Sequence, residues 1–206
     1  DLTLRHRFLD EDRKTALEAF ALKGFPTKKD EEYKYTNLKE ITEKNYNFFP
    51  TEEHHISREQ LDALHLGEEN FDRIVFINGK LHKEFSKISI GNAEFLSFNY
   101  ALNDPAHKEV FDKYFNTIAN KDLAFTNLNS AYCKFGFFLR VPKNVVIEKP
   151  IHVFYLSQNQ EENTFYNTRN LLIVEEGAKV EIIESHHNLD ESFVLTNSVT
   201  EIFTFQ

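Results

Sequence analysis

Four small groups of side chains in this 206-residue sequence carry types that chemistry can use. Cys133 is the lone cysteine, and a thiolate is the ligand that a metal–sulfur cluster takes. A cluster needs several such ligands, and an unpaired cysteine is most often an inert small hydrophobe. The histidine pairs are His54-His55 and the run Glu184-Ser185-His186-His187. Neighbours on a strand point to opposite faces, so His186 and His187 cannot share a metal there, while Glu184 and His186 lie on one face. Two ligands do not complete a site, and a solvated strand end accounts for them. Glu175-Glu176 beside Gly177 has the look of the paired carboxylates that glycoside hydrolysis requires, but acids at a turn are ordinarily exposed charge. No residue is therefore assigned as catalytic or as a metal ligand, and cofactor-binding residues stay unassigned. No glycine-rich phosphate loop is present, so any ATPase work belongs to another chain.

The elements that would position these residues change character along the chain. The first part has helical spacing: Asp10 is placed to cap a helix carrying Ala16, Leu17, Phe20 and Ala21, with Gly24 and Pro26 as its stop. Glu31 to Ile41 reads as short helix or turn. Ser57 and Gln60 form a capping box for a helix running to Leu66. Arg73 to Asn78, followed by Gly79 and Lys80, reads as a hairpin. Helical spacing returns from Asp104 to Ala119, started by Asp104-Pro105, and Leu123 to Tyr132 is helix or loop. From Phe135 onward, strand follows strand, with polar loops at 157–164 and 187–192 and a corner at Gly177-Ala178. Apolar centres recur at about two dozen residues. Several strands are apolar on both parities, as in Leu171 to Val174, which fits strands covered on more than one side.

The expected fold is thus mainly β with an N-terminal α region: a parallel β-helix, or solenoid, behind a small helical and mixed domain. The expected divisions are 1–100, a helical connection at 101–134, and the solenoid at 135–206. The 21 Phe and 8 Tyr read as packing for both parts. A net charge of -9 with basic residues scattered among acids argues against nucleic acid as a partner. No segment approaches the roughly 18 to 20 apolar residues of a membrane span. One cysteine suits a reducing compartment, and a cytoplasmic protein is expected. Because the sequence has no methionine and stops within strand-like VTEIFTFQ, it is expected to be part of a longer chain.

Five stretches in order carry a resemblance. They are Pro26 to Leu38 with its DEEYKYTNL core, FINGK at Phe76 to Lys80, LNSAY at Leu128 to Tyr132 leading into GFFLRVP, KPIHVFY at Lys149 to Tyr155, and RNLLIVEEGAKVEIIE at Arg169 to Glu184. Together they resemble the SufB/SufD family of iron–sulfur cluster assembly proteins, its SufD branch most closely. Tyr33, where tryptophan is common, and Lys134, where an acid is usual, depart from that pattern. The resemblance implies a right-handed parallel β-helix after a helical domain. It also implies a non-catalytic subunit of a SufBCD complex, docking a SufB-like paralogue and a SufC-like ATPase, as a heterodimer or a homodimer. Iron or an iron–sulfur cluster would enter only at the level of that complex. No position here matches a family ligand.

Two enzyme readings compete. A parallel β-helix acting on polysaccharide would need a cleft of convergent carboxylates or basic groups. An acyltransferase on a left-handed β-helix would need strict hexapeptide repeats, and the apolar positions do not keep a period of six.

Overall fold

The computed structural model describes residues 10–49, 51, 53–64, 71–158 and 162–205. Its core is built from two four-stranded sheets. One runs β2–β1–β5–β7, from β1 (Asp72–Ile77), β2 (Lys80–Leu81), β5 (Ile151–Ser157) and β7 (Ile182–Asn188). The other runs β3–β4–β6–β8, from β3 (Glu94–Ser97), β4 (Phe137–Val141), β6 (Thr164–Val174) and β8 (Val194–Thr204). From β4 to β8 successive strands alternate between the sheets, and each pairs in parallel with the strand two places away. Paired residues such as Thr164↔Val194 and Phe138↔Leu171 set the repeat at 30 to 33 residues, longer than the spacing of apolar centres suggests.

The expected mainly-β parallel solenoid does not hold; the class is mixed α/β. Each sheet is mixed, ending in an antiparallel pair (β1 with β2, β3 with β4), and neither closes into a solenoid. Six α-helices are interleaved among the described residues. The reason lies in what covers the doubly apolar strands. On their inner faces Phe76, Leu139, Val153 and Leu172 join one cluster between the sheets. On the outer face of one sheet, Phe138, Leu171 and Ile173 are covered by Phe98, Ala101 and Phe111 of α4 (Phe98–Asn103) and α5 (Lys108–Tyr114). On the outer face of the other, Val75, Ile77, Phe154 and Leu156 pack with Ile56 and with Leu61 of α3 (Arg58–Ala63). A strand hidden on both sides by a sheet and a helix has the same apolar pattern as one hidden inside stacked coils.

Local signals fix several boundaries. The Ser57–Gln60 capping box is formed in both directions and starts α3; Leu66 lies outside the described residues. Asn78 and Gly79 take φ of 49° and 83°, the backbone of a tight hairpin turn, and reverse β1 into β2. Asp104 accepts a hydrogen bond from the Ala106 N–H, but the helical run it starts ends at Tyr114, because Phe115 turns to extended backbone at ψ 134° and Asn116 follows at φ 59°. The Asn-rich segment folds as α6 (Ala124–Tyr132). α1 (Asp10–Lys23) lies against α6, held by Arg13 Nη2 donating to the Cys133 carbonyl at 2.7 Å; the side chain of Asp10 is outside the described set. The segment around Glu31 to Ile41 forms one 3-10 turn (Glu31–Tyr33) and the short α2 (Lys39–Thr42).

Candidate functional site

The strand alternation brings β7 and β8 to the same edge of the two sheets, where the space between them opens as a cleft. A cavity of about 220 Å³ lies there, lined by Tyr155, Tyr166, Thr168, His186 and Thr196 among others. The inner face of β7 brings Glu184 and His186 beneath β5, in register with Val153 and Tyr155. His186 stacks on the Tyr155 ring at 4.7 Å and 11°. Glu184 is open to solvent along its flank, but its Oε1 accepts from Asn170 Nδ2 at 2.9 Å. Burial of the carboxyl raises its pKa, while burial and then the neighbouring His187 lower that of His186. Both shifts favour the uncharged forms. Tyr155 and Tyr166 are pushed far above the usual phenol range, first by burial and then by Glu184 and Asp190 respectively. The cleft is thus lined largely by aromatic rings and hydroxyls.

The other sequence candidates are scattered. His187 points to the opposite face from His186 and stacks on Phe154, as strand parity requires. His54 packs edge-on against His82 at 4.5 Å. Glu175 is committed to Arg140 at 2.6 Å and Glu176 to Lys143 at 2.7 Å, so the two acids at the Gly177 corner face basic groups rather than a shared substrate. Cys133 is 1 % exposed just past α6, with its thiol facing the Ser130 carbonyl at 3.7 Å. Burial drives its pKa up, against the pull of Arg13 and Arg169, which keeps it a thiol. Among the described residues no three of His, Cys, Asp and Glu come together as a metal would need.

A denser polar cluster, missed in the sequence reading, lies on the outer face of β6 and β8. Arg169 and Glu201 are 0 % and 1 % exposed and meet at 2.5 Å. Glu201 also accepts from the backbone N–H groups of Asn116, Thr117 and Ile118. Arg169 donates to Asn116 Oδ1, Asn129 Oδ1 and Ser130 Oγ and lies over the Phe115 ring at 4.8 Å. The signal was a charge at an outward position within each otherwise strand-like run, TRNLLIV and VTEIF. This cluster ties the loop after α5 and helix α6 to the sheet.

Taken together, these features define a mixed α/β protein built on two mixed sheets, with a buried ion pair that holds helices in place. The match to a family model described as the SufBD protein N-terminal region extends over residues 4–153, and the chain belongs to that family. It is 27% identical over 174 residues to an iron–sulfur cluster assembly SufBD family protein of Synechocystis, covering 84% of this chain. Over 79 residues it is 34% and 35% identical to proteins of the same description from Staphylococcus saprophyticus and Staphylococcus aureus, covering 38% of this chain. The chain spans 38% of the length of the Synechocystis relative and 17% of each staphylococcal one. No helix among the described residues is long and apolar enough to cross a membrane.

Proposed function

We propose that this protein is a SufD-like, non-catalytic subunit of an iron–sulfur cluster assembly scaffold in the cytoplasm, docking a SufB-like paralogue and a SufC-like ATPase. The observation that carries this reading is the family match across residues 4–153. One physical feature supports it. The thiol of Cys133 is sealed, so iron or a cluster is cargo shaped with partner chains rather than held at that residue. The polysaccharide reading loses its footing, because its solenoid is absent and Glu175 and Glu176 are tied to Arg140 and Lys143. The acyltransferase reading falls with the same architecture.

Co-expression of the full-length protein with SufB-like and SufC-like chains tests the proposal. A stable complex recovered through a tag on any one member, with faster cluster transfer to an acceptor apoprotein, is the expected result. A protein that stays partner-free under these conditions and leaves cluster transfer unchanged overturns it.

A further inference from the structure

Helices α1 and α6 lie against one another, but the body of the molecule holds them very differently. In α6, residues Thr126 to Ser130 are all buried, and Asn129 Nδ2 donates to the Thr168 carbonyl on β6 and the Asn197 carbonyl on β8, both at 2.8 Å. In α1, Ala16 is buried, whereas every other described side chain is exposed or half-buried. Among the described residues, its polar ties to the body run from Arg13 to Cys133 and from Lys23 Nζ to the Asp122 carbonyl, the latter exposed. The helix closes at Gly24, whose N–H donates to the Phe20 carbonyl at 2.7 Å and whose φ is 68°. Nothing lies within 4 Å of the position that a Gly24 Cβ would take. Phe20 packs edge-on against Phe25 across this point, and Phe25 and Tyr33 in turn pack on Phe125 of α6, which fixes the following chain to the body. Helix α1 thus has a shallow seat and an open pivot.

That seat borders the lone cysteine. Arg13 holds the Cys133 carbonyl, and the same guanidinium bears on the sulfur, whose other side is packed by Phe98, Phe138 and Leu171. Arg169, fully buried, also acts on the sulfur, and its Nε has no hydrogen-bond partner among the described residues. Arg169 belongs to β6 and is clamped by Glu201 and Asn129, so it stays in place when α1 moves.

We propose that α1 is a strap that swings away about Gly24 as a unit, ahead of global unfolding, and so gates the reaction of Cys133 with small disulfides. Segments with little buried contact sit at the low end of local opening free energies. With the strap closed, burial keeps the sulfur a neutral thiol, which does not attack disulfides. With it open, water reaches the sulfur while Arg169 remains beside it, and both favour the thiolate. That thiolate attacks one sulfur of a disulfide R–S–S–R, forming Cys133–S–S–R and expelling R–S⁻, with the thiol proton passed to solvent. An external thiol reverses the step.

The full-length protein is treated with the aromatic disulfide DTNB; peptide mapping without reductant follows the adduct at Cys133 alone, and hydrogen–deuterium exchange follows the amides of α1 and α6. The rate at Cys133 should stay nearly flat across urea concentrations below the unfolding transition, with α1 amides exchanging about tenfold or more faster than those of α6. Ala16→Asp, which puts a charge into the α1–α6 contact and leaves Arg13 in place, should raise the rate about tenfold. Arg13→Ala, which removes the tie to Cys133, should do so as well, by about tenfold. Leu22→Ala, on the exposed face, should react as the parent does. The urea midpoint should hold in all three variants. A rate at Cys133 that climbs with urea in step with global unfolding, α1 amides protected as strongly as those of α6, or parent-like rates in both Ala16→Asp and Arg13→Ala overturns the proposal. So does a fall in midpoint that matches the gain in rate, because α1 would then open only with the body.

Discussion

Strands β6, β7 and β8 carry polar groups on both faces, and the two faces treat them oppositely. On the outer face Arg169 and Glu201 are sealed beneath α6 and the loop after α5, with nearly every hydrogen-bonding atom answered. On the inner face Glu184 and His186 sit in an open cleft, held by one amide and one ring, and shifted toward neutrality. Burial of charge is tolerable only where partners surround it; otherwise the group gives up its charge. The comparison separates a polar cluster that holds the fold together from polar residues that dress a surface.

Breaking the sealed cluster has the largest expected effect. Glu201→Ala leaves the Arg169 guanidinium buried without its counter-ion and strips three backbone N–H groups of their acceptor, a loss of about 3 to 5 kcal/mol for a broken buried pair. Equilibrium urea unfolding measures it. Pairing Glu201→Leu with Arg169→Met should recover much of that loss, since an apolar replacement of both partners avoids the stranded charge. A double variant no more stable than Glu201→Ala would show that the hydrogen bonds from the three backbone N–H groups, rather than the ion pair, carry the cluster.

Next in size is Gly136→Ala, which reaches the same cluster from beneath. The new methyl would meet the Arg169 carbonyl, and φ 114° is a backbone that L side chains rarely adopt. A destabilisation of about 2 to 3 kcal/mol in the same urea assay is expected, at the upper end of ordinary point substitutions. A near-neutral outcome would mean that β4 and β6 separate easily at Phe137, and the outer face would then be less firmly tied than its hydrogen bonds indicate.

Much of this was legible at short range. The Ser57–Gln60 capping box, the Asn78-Gly79 hairpin, the Gly177 corner and the opposite orientations of His186 and His187 all follow from chemistry within a few residues. The class was not legible, because double-sided apolarity in Leu171 to Val174 records that something covers the strand without recording what. Helices α4 and α5 do so here, and their six and seven residues leave only a weak periodic trace. The sealed pair was hidden for the same reason: Arg169 and Glu201 are 32 residues apart and meet only through strand register.

On the open face, Glu184→Gln sharpens the contrast through its sign. Burial raises the folded-state pKa of Glu184, so its favourable contribution is complete below the unfolded value of about 4.3 and is lost as pH rises through the folded value. At neutral pH the carboxylate therefore costs stability, and glutamine, which can still accept from Asn170 Nδ2, removes that cost. Because the flank is open to solvent, the expected gain is only about 0.5 to 1 kcal/mol at pH 7, vanishing below about pH 4. Thermal melting across that range checks it. A loss of stability at pH 7 would place Glu184 with the sealed cluster rather than with the open surface.

The smallest effect belongs to the corner that joins the faces. Glu175 accepts from Arg140 and from the Lys143 N–H, and the Arg140 hydrogen bond is the main reason its pKa is lowered. Its contribution is present above the unfolded value of about 4.3 and fades as pH falls through the lower folded value, the reverse of Glu184. The Arg140 side chain is 45% exposed, so solvent screens the pair, and Glu175→Gln should cost no more than about 0.5 kcal/mol at pH 7. The cost should shrink further in concentrated salt, where the sealed Arg169–Glu201 pair would hold its value. Opposite pH slopes for two glutamates nine residues apart would show that surroundings, not residue type, decide what each carboxylate does.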